Sequence, residues 1–511
     1  MIEVRYSHKD RIDTNSSMYK NLLAAHQRLL EQDFTIWGPK ATAEASIRMD
    51  WITLPEESRS LLPQLDALSA KNRHLTNVIL CGMGGSSLGP EVIAQSYGKE
   101  LFVLDSTDPN YLEHALPKNL KETLVIISSK SGSTIETESH KAFFEALFTE
   151  AGLNKTEHII IVTDPQSPLD IASRSAGFNV INANPNVGGR FSVLGAFGLI
   201  PSALIGIDVS IVLDSAIETK IAISENPHSA LVAAYAIVAA TDQYFSLTDS
   251  HSSMPGLSSW IEQLLAESTG KDGVGRLPIV LNNSNDFTPA KTLSISFKSE
   301  CDLVVEGDLG SQFFFWQWVT ALVGAGLAIN PFDQPDVQES KFATGSLLST
   351  WSNRVPELGN LSVDGSIALF DESENVATLL SAFIHGIDDG GYLAITAYMD
   401  RKNDVDLMML REIIAKKSKK AVTFGWGPRV LHSTGQIHKG GQSNGSFLQL
   451  TADCEKDFAI QGQDFTFKSL CMAQAIGNHN ALTARGLKSL RLHLTKRKEG
   501  ISQLLEIAKN L

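Results

Sequence analysis

The chain is 511 residues long, with 43% hydrophobic and 20% charged residues and a formal net charge of −14 at neutral pH. That length predicts at least two domains with ample core, and the composition predicts an ordinary soluble globular protein. The acidic balance excludes broad binding to nucleic acid or anionic membranes, so an anionic ligand needs a local basic cluster. Cys81, Cys301, Cys454 and Cys471 show no metal-ligand spacing, which points to a reducing, cytoplasmic compartment. The opening Met1-Ile2-Glu3-Val4-Arg5 has no apolar core of the signal-peptide kind. The longest apolar run, Phe191 to Ile207, is interrupted by three glycines and Pro201 and reads as a core helix.

Residues 1–50 read as a polar, helical extension, clearest over Met18 to Glu31. Five short apolar runs follow: Val78-Leu80, Leu101-Leu104, Leu124-Ile127, Ile159-Val162 and Val180-Ile181, with helix-like segments between them. Strands alternating with helices predict a parallel, doubly wound sheet over 51–215. In such sheets the loops at the carboxyl ends of the strands carry the ligand. Here those loops are Gly82-Met83-Gly84-Gly85-Ser86-Ser87, Asp105-Ser106-Thr107-Asp108, Ser128 to Thr134, and Thr163-Asp164-Pro165.

The second half predicts a long alanine-rich helix from His228 to Tyr244, strands at Leu277-Leu281 and Leu293-Phe297, and a helix from Gln312 to Ala328. Beyond a polar stretch at 342–375, strands are expected at Tyr392-Ala397, Ala421-Phe424 and Phe447-Leu450. Helices are expected at Val405-Lys417, Ser469-Arg485 and Ser502-Asn510. This is again α/β, so 216–511 reads as a second layered domain with C-terminal helices.

Five hydroxyls and one lysine fall within Ser128 to Thr134, between a strand and the start of a helix. The first N–H groups of a helix have no intrahelical partner and attract negative charge, so the segment suits a phosphate. It also fits a plain N-cap and turn. The first glycine loop imitates a dinucleotide fingerprint, with Asp105 placed for a ribose, but Ser87 stands where its third glycine belongs.

Four further blocks carry chemistry. Asn186-Val187-Gly188-Gly189-Arg190-Phe191-Ser192 offers an arginine after a glycine pair, able to hold an anion bidentately. Gln263 to Lys271 places Gln263 and Glu267 one helical turn apart, with Glu267 a candidate general base. Asn330 to Lys341 follows. His432 and His438 come late, with no carboxylate or cysteine cluster to complete a metal site.

Taken together, the glycine loop (82–89), the hydroxyl segment (128–137), Gly-Gly-Arg (186–192), Glu-Ser-Thr-Gly-Lys (267–271) and Phe-Asp-Gln…Lys (332–341) resemble the glucose-6-phosphate isomerase family, over nearly the whole chain. The histidine block follows Phe-Asp-Gln…Lys, an order similar to the isomerase half of bifunctional transaldolase/glucose-6-phosphate isomerase chains, although no transaldolase barrel fits here. The resemblance implies two sugar-isomerase domains of αβα layering, usually a homodimer, and conversion between glucose 6-phosphate and fructose 6-phosphate through a cis-enediol without a cofactor. It implies that Gly85, Ser86, Ser129, Lys130, Ser131 and Thr134 hold the sugar phosphate, with Gln263 helping. Glu267 is then the base, Arg190 the enediolate's partner, His432 and Lys341 the ring-opening pair, and Gln334 the group that orients substrate.

This chain departs from the family pattern in three places. Gly132 stands where many members carry a bulky residue. Pro335-Asp336-Val337-Gln338 replaces the commoner Gly-Val-Glu ahead of Lys341, and His438 competes with His432. Two competing readings are a non-catalytic sugar-phosphate sensor and an isomerase that also accepts mannose 6-phosphate. The first has no need for Arg190, Glu267 and Lys341 together. The second turns on pocket side chains that the sequence does not resolve.

Overall fold

The computed structural model describes residues 2–240, 242–351, 362–370 and 375–511, with Gln338 and Ser340 described in backbone only. The rest of the 342–375 stretch, 352–361 and 371–374, lies outside the described residues. The chain forms two compact units: 1–105, 117–284 and 293–334 make the first, and 106–116, 285–292 and 335–511 make the second.

The first unit begins with a strand, β1 (Glu3–Tyr6), where a purely helical extension was expected. Its Glu-Val-Arg-Tyr alternation suits an edge strand, and Arg5 pairs with Glu306 on the neighbouring strand. The helix Ser17–Leu30 follows, N-capped by the Ser16 hydroxyl, which accepts from the Tyr19 N–H. Next come β2 (Asn77–Gly82), β3 (Phe102–Leu104), β4 (Thr123–Ser128), β5 (Ile159–Thr163) and β6 (Asn179–Asn182). They form one all-parallel sheet in the order β3-β2-β4-β5-β6. Every residue of β4 and β5 is buried, which is why these strands read as unbroken apolar runs rather than alternating ones.

A second sheet joins β7 (Tyr244–Thr248), β8 (Leu277–Val280), β9 (Leu293–Ser296) and β10 (Leu303–Glu306) to β1, in the order β1-β10-β9-β7-β8. Tyr244 therefore starts a strand, and the alanine-rich helix stops at Ala239. The aromatic and hydroxyl residues of Tyr244–Thr248 fit a buried strand better than a helix end. The helix Leu309–Gly326 is buried on all sides from Leu309 to Gly324, and its Phe313, Trp316 and Trp318 belong to one core shared with Leu80, Ile126, Phe245 and Ile295. A helix apolar all round has no solvent face to present, so it runs through the interior.

The second unit holds β11 (Ser362–Asp364), β12 (Ile367–Leu369), β13 (Tyr392–Tyr398), β14 (Ala421–Trp426), β15 (Gly445–Ala452) and β16 (Lys488–Leu494), in the order β11-β12-β16-β15-β13-β14. The four strands β14, β13, β15 and β16 run parallel. Their leucine and isoleucine face forms the core of this unit, with Leu393, Ile395, Leu448, Leu450, Leu490 and Leu492.

The α/β class with mostly parallel sheets is as expected, but the described residues form three sheets rather than two. Residues 216–511 are not one layered domain, because β7 to β10 share a core with the first sheet while β11 to β16 have their own. The expected divisions at 50 and 215 likewise fall inside the first unit. The loop after β3, expected to meet ligand, crosses into the second unit. There Asp108 caps the helix Pro109–His114 and pairs with Arg497, and the Thr107 hydroxyl donates to Gln474. Arg497 also pairs with Asp404 and begins the last helix, which runs Arg497–Lys509 rather than from Ser502. Among the described residues, no helix is long and apolar enough to cross a membrane.

Candidate active site

In the first sheet the chain leaves β2 for β3 on one side and then takes up β4 on the other, a topological switch point. Gly82 and Ser128 are register partners at the carboxyl ends of β2 and β4, so the glycine loop and the hydroxyl segment emerge side by side. The glycine loop makes a 3-10 turn, Gly84–Ser86, that leads into the helix Leu88–Ser96, and Ser86 is buried. The hydroxyl segment closes on itself. The Ser129 hydroxyl donates to Thr134 Oγ1 at 3.2 Å and accepts from the Gly132 N–H at 3.2 Å, while Ser131 Oγ lies 3.4 Å from the same Thr134 oxygen. Gly132 adopts φ +65°, and a Cβ there would lie 2.8 Å from Ser167 Oγ, so the turn demands glycine. The helix Ile135–Glu150 begins immediately afterwards, with its N-terminus at this turn. Lys130 pairs with Asp164 and donates to the Pro185 carbonyl at 3.2 Å. Burial pulls its ammonium below the ordinary lysine range despite that carboxylate. Ser86, Ser129, Lys130, Ser131 and Thr134 thus sit on two adjacent loops, the arrangement an anion needs.

Gly85 ties this ledge to Arg190. A Cβ on Gly85 would stand 2.0 Å from the Gly189 carbonyl oxygen and 2.9 Å from the Arg190 nitrogen, all rigid backbone. Gly189 itself has nothing within 4 Å of its Cβ direction. Gly85→Ala is therefore expected to destabilise the protein by about 1–3 kcal/mol through overpacking and to displace Arg190. Gly189→Ala, on the other side of the same contact, is expected to stay within about 0.5 kcal/mol of wild type. Thermal melts of the two variants check this contrast.

Arg190 is 4% exposed and reaches five acceptors. Its Nε donates to Ser268 Oγ at 2.7 Å. One Nη serves the Gln334 side-chain oxygen at 2.9 Å and Glu267 Oε1 at 3.2 Å. The other serves the carbonyls of Pro331 at 2.6 Å and Asp333 at 3.2 Å. Burial lowers its pKa, and the neighbouring carboxylate of Glu267 acts against that. The helix Leu257–Thr269 presents Gln263 and Glu267 on one face, as their spacing requires, and Gln263 Nε2 donates to Glu267 Oε2 at 3.1 Å. Each oxygen of Glu267 therefore has a fixed donor. The carboxyl group is oriented, lies beside a cation and is 9% exposed: a setting that suits a general base paired with an electrostatic stabiliser.

The model of the phosphoglucose isomerase family matches residues 65–274. A glucose-6-phosphate isomerase of Cyanothece sp. is 37% identical over 194 residues, 32% of this chain and 37% of that protein. One from Campylobacter jejuni is 30% identical over 249 residues, 46% of this chain and 61% of that protein. The matched parts thus span from about a third to three fifths of these relatives' own lengths. A crystal structure of a glucose-6-phosphate isomerase from Chlamydia trachomatis shares the fold, with a TM-score of 0.54 at 17% identity, covering 70% of this chain and 90% of that one.

Residues 65–274 are thus the part of this chain that matches the phosphoglucose isomerase family.

The matched segment holds every site residue from Gly85 to Glu267, and Lys271 as well. Gln334, Lys341 and His432 lie beyond it, so the match is narrower than the near-complete resemblance read from the motifs. The first unit brings Gln334 to Arg190 but contains neither Lys341 nor His432. Those two belong to the second unit, where the helix Val337–Trp351, carrying an exposed Lys341, packs on the 3-10 turn Arg429–His432. His438 is buried beside the Tyr392 and Phe447 rings, and burial holds it at about 3. An imidazole held neutral there is a poor proton donor at neutral pH, which disfavours it against the half-buried His432.

Sequence reasoning passed over two partners of this site. Lys271 and Asp333 lie inside quoted motifs but received no role. The only available signal was a lysine directly after a helix that ends in Glu-Ser-Thr-Gly.

Proposed function

We propose that this protein catalyses the reversible aldose–ketose isomerisation of glucose 6-phosphate and fructose 6-phosphate. The observation that carries the reading is Glu267, held by Gln263 and Arg190 in the same unit as an anion-binding ledge of two loops. In this proposal the ledge of Gly85, Ser86, Ser129, Lys130, Ser131 and Thr134 takes the phosphate. Glu267 removes the proton from C2 of the open-chain aldose and returns it to C1, and Arg190 stabilises the enediolate between the two steps. Gln334 orients the substrate, while His432 and Lys341 open the pyranose ring: the C1–O5 bond breaks as the ring oxygen gains a proton and the C1 hydroxyl loses one to become the carbonyl. The transfers use acid–base groups alone. Cytoplasmic location, a homodimer, and kinship with the isomerase half of transaldolase fusions belong to the same proposal; the late position of His432 supports the last.

The test is a coupled assay with fructose 6-phosphate supplied and glucose 6-phosphate detected by its dehydrogenase, with and without EDTA. Turnover that EDTA leaves unchanged is expected. Folded protein that binds fructose 6-phosphate without turning it over would instead identify a sugar-phosphate sensor.

A further inference from the structure

Lys271 is 3% exposed, a position in which a lysine is rarely found without a specific partner. It follows Gly270, the residue that ends the Glu267 helix, and its Nζ donates to the Asp333 carbonyl at 2.5 Å and to Asp333 Oδ1 at 2.7 Å. The Asp333 side chain is 43% exposed. A lysine serving only an ion pair would approach it from solvent, yet this one comes from the interior. The interior approach places Nζ on the same carbonyl that Arg190 uses at 3.2 Å. Two buried cations thus converge on one backbone oxygen. On the apolar side the same turn is pinned by Phe332, whose ring meets Trp37 and Phe191 edge-on or tilted at centroid distances of 4.9 and 5.5 Å.

We propose that Lys271 is a positioning residue: it locks the 331–334 turn so that its carbonyls and Gln334 hold the Arg190 guanidinium against Glu267. Phe332 fixes the depth of the turn, and Lys271 fixes its rotation. Without Lys271, the Asp333 peptide is free to rotate and Arg190 loses the geometry of three of its five acceptors, those on Pro331, Asp333 and Gln334. Burial, reinforced by the nearby Arg190 charge, brings the Lys271 ammonium down to about 8, while Asp333 and Glu267 oppose that drop. Lys271 acts through Arg190, and its kinetic consequence rests on the isomerase reading above.

Lys271→Met and Lys271→Arg test this, each compared with wild type by coupled assay and by hydrogen exchange at the amides of Phe332, Asp333 and Gln334. Lys271→Met is expected to lower kcat about a hundredfold, the cost of misplacing a catalytic group by an ångström or so. KM is expected to stay within about threefold, because the phosphate ledge is untouched. Exchange at the three amides should rise, and Lys271→Arg should restore both readouts substantially. Lys271→Met that keeps kcat within about threefold overturns the proposal, and so does a loss of kcat/KM carried mainly by a rise in KM. Unchanged exchange at 332–334 in folded Lys271→Met overturns it even if wild type proves inactive, an outcome that would separately defeat the isomerase reading.

Discussion

Glu267→Gln is expected to lower kcat by about a thousandfold while leaving the protein folded and able to bind fructose 6-phosphate, because general-base removal typically costs 10²–10⁴. The substitution is isosteric. The amide oxygen can still face Arg190, and Gln263 can turn its own amide so that its oxygen accepts from the new NH₂, so the contacts of the helix Leu257–Thr269 survive. What is lost is the proton acceptor. Wild type run in D₂O should place deuterium from solvent at the carbon that receives the proton, and the variant should show neither exchange nor turnover. A Glu267→Gln enzyme within tenfold of wild type would mean that another group carries the proton.

Arg190→Ala is expected to act on both rate and stability. Removing a preorganised cation from a developing oxyanion costs about 10²–10³ in kcat. The truncation also leaves Glu267 as a buried carboxylate without its cation and strips donors from Ser268, Gln334 and two carbonyls. Breaking such a buried pair costs roughly 3–5 kcal/mol, so the melting temperature should fall clearly. Arg190→Lys separates the two effects. It keeps a charge near Glu267 but cannot span five acceptors, since an ammonium lacks the planar fork of guanidinium. Most of the stability should return with most of the activity still missing. Melting curves and kcat measured on the same preparations check this, and full recovery of kcat in Arg190→Lys would reduce Arg190 to a structural cation.

Much of this site was legible in the chain because its parts are local. The hydroxyl segment after β4, the glycines after β2, and the four-residue spacing of Gln263 and Glu267 each declare their geometry within a dozen residues. Errors arose where a local pattern had two solutions. Tyr244 continues an apolar helix as easily as it begins a strand, and only pairing with β8 and β9 decides between them. Glu3–Tyr6 is too short and too charged to read as a strand until β10 offers an edge. Asp105 to Asp108 has the composition of a ligand loop, but Arg497 and Gln474 claim Asp108 and Thr107.

By itself, the sequence determined the α/β class, the parallel first sheet, the phosphate-suited loops and the candidate acid–base residues. Each depends on side-chain period, turn chemistry or residue type within a short window. Tertiary structure alone decided that Gly85 seats the Gly189-Arg190 turn and that the late sheet has its own core. It also decided that Lys271 turns inward to Asp333, 62 residues away in sequence. These contacts join segments whose separation carries no periodic signal. They exist because close packing and the need to satisfy every buried charge leave Arg190 and Lys271 a single shared turn on which to settle.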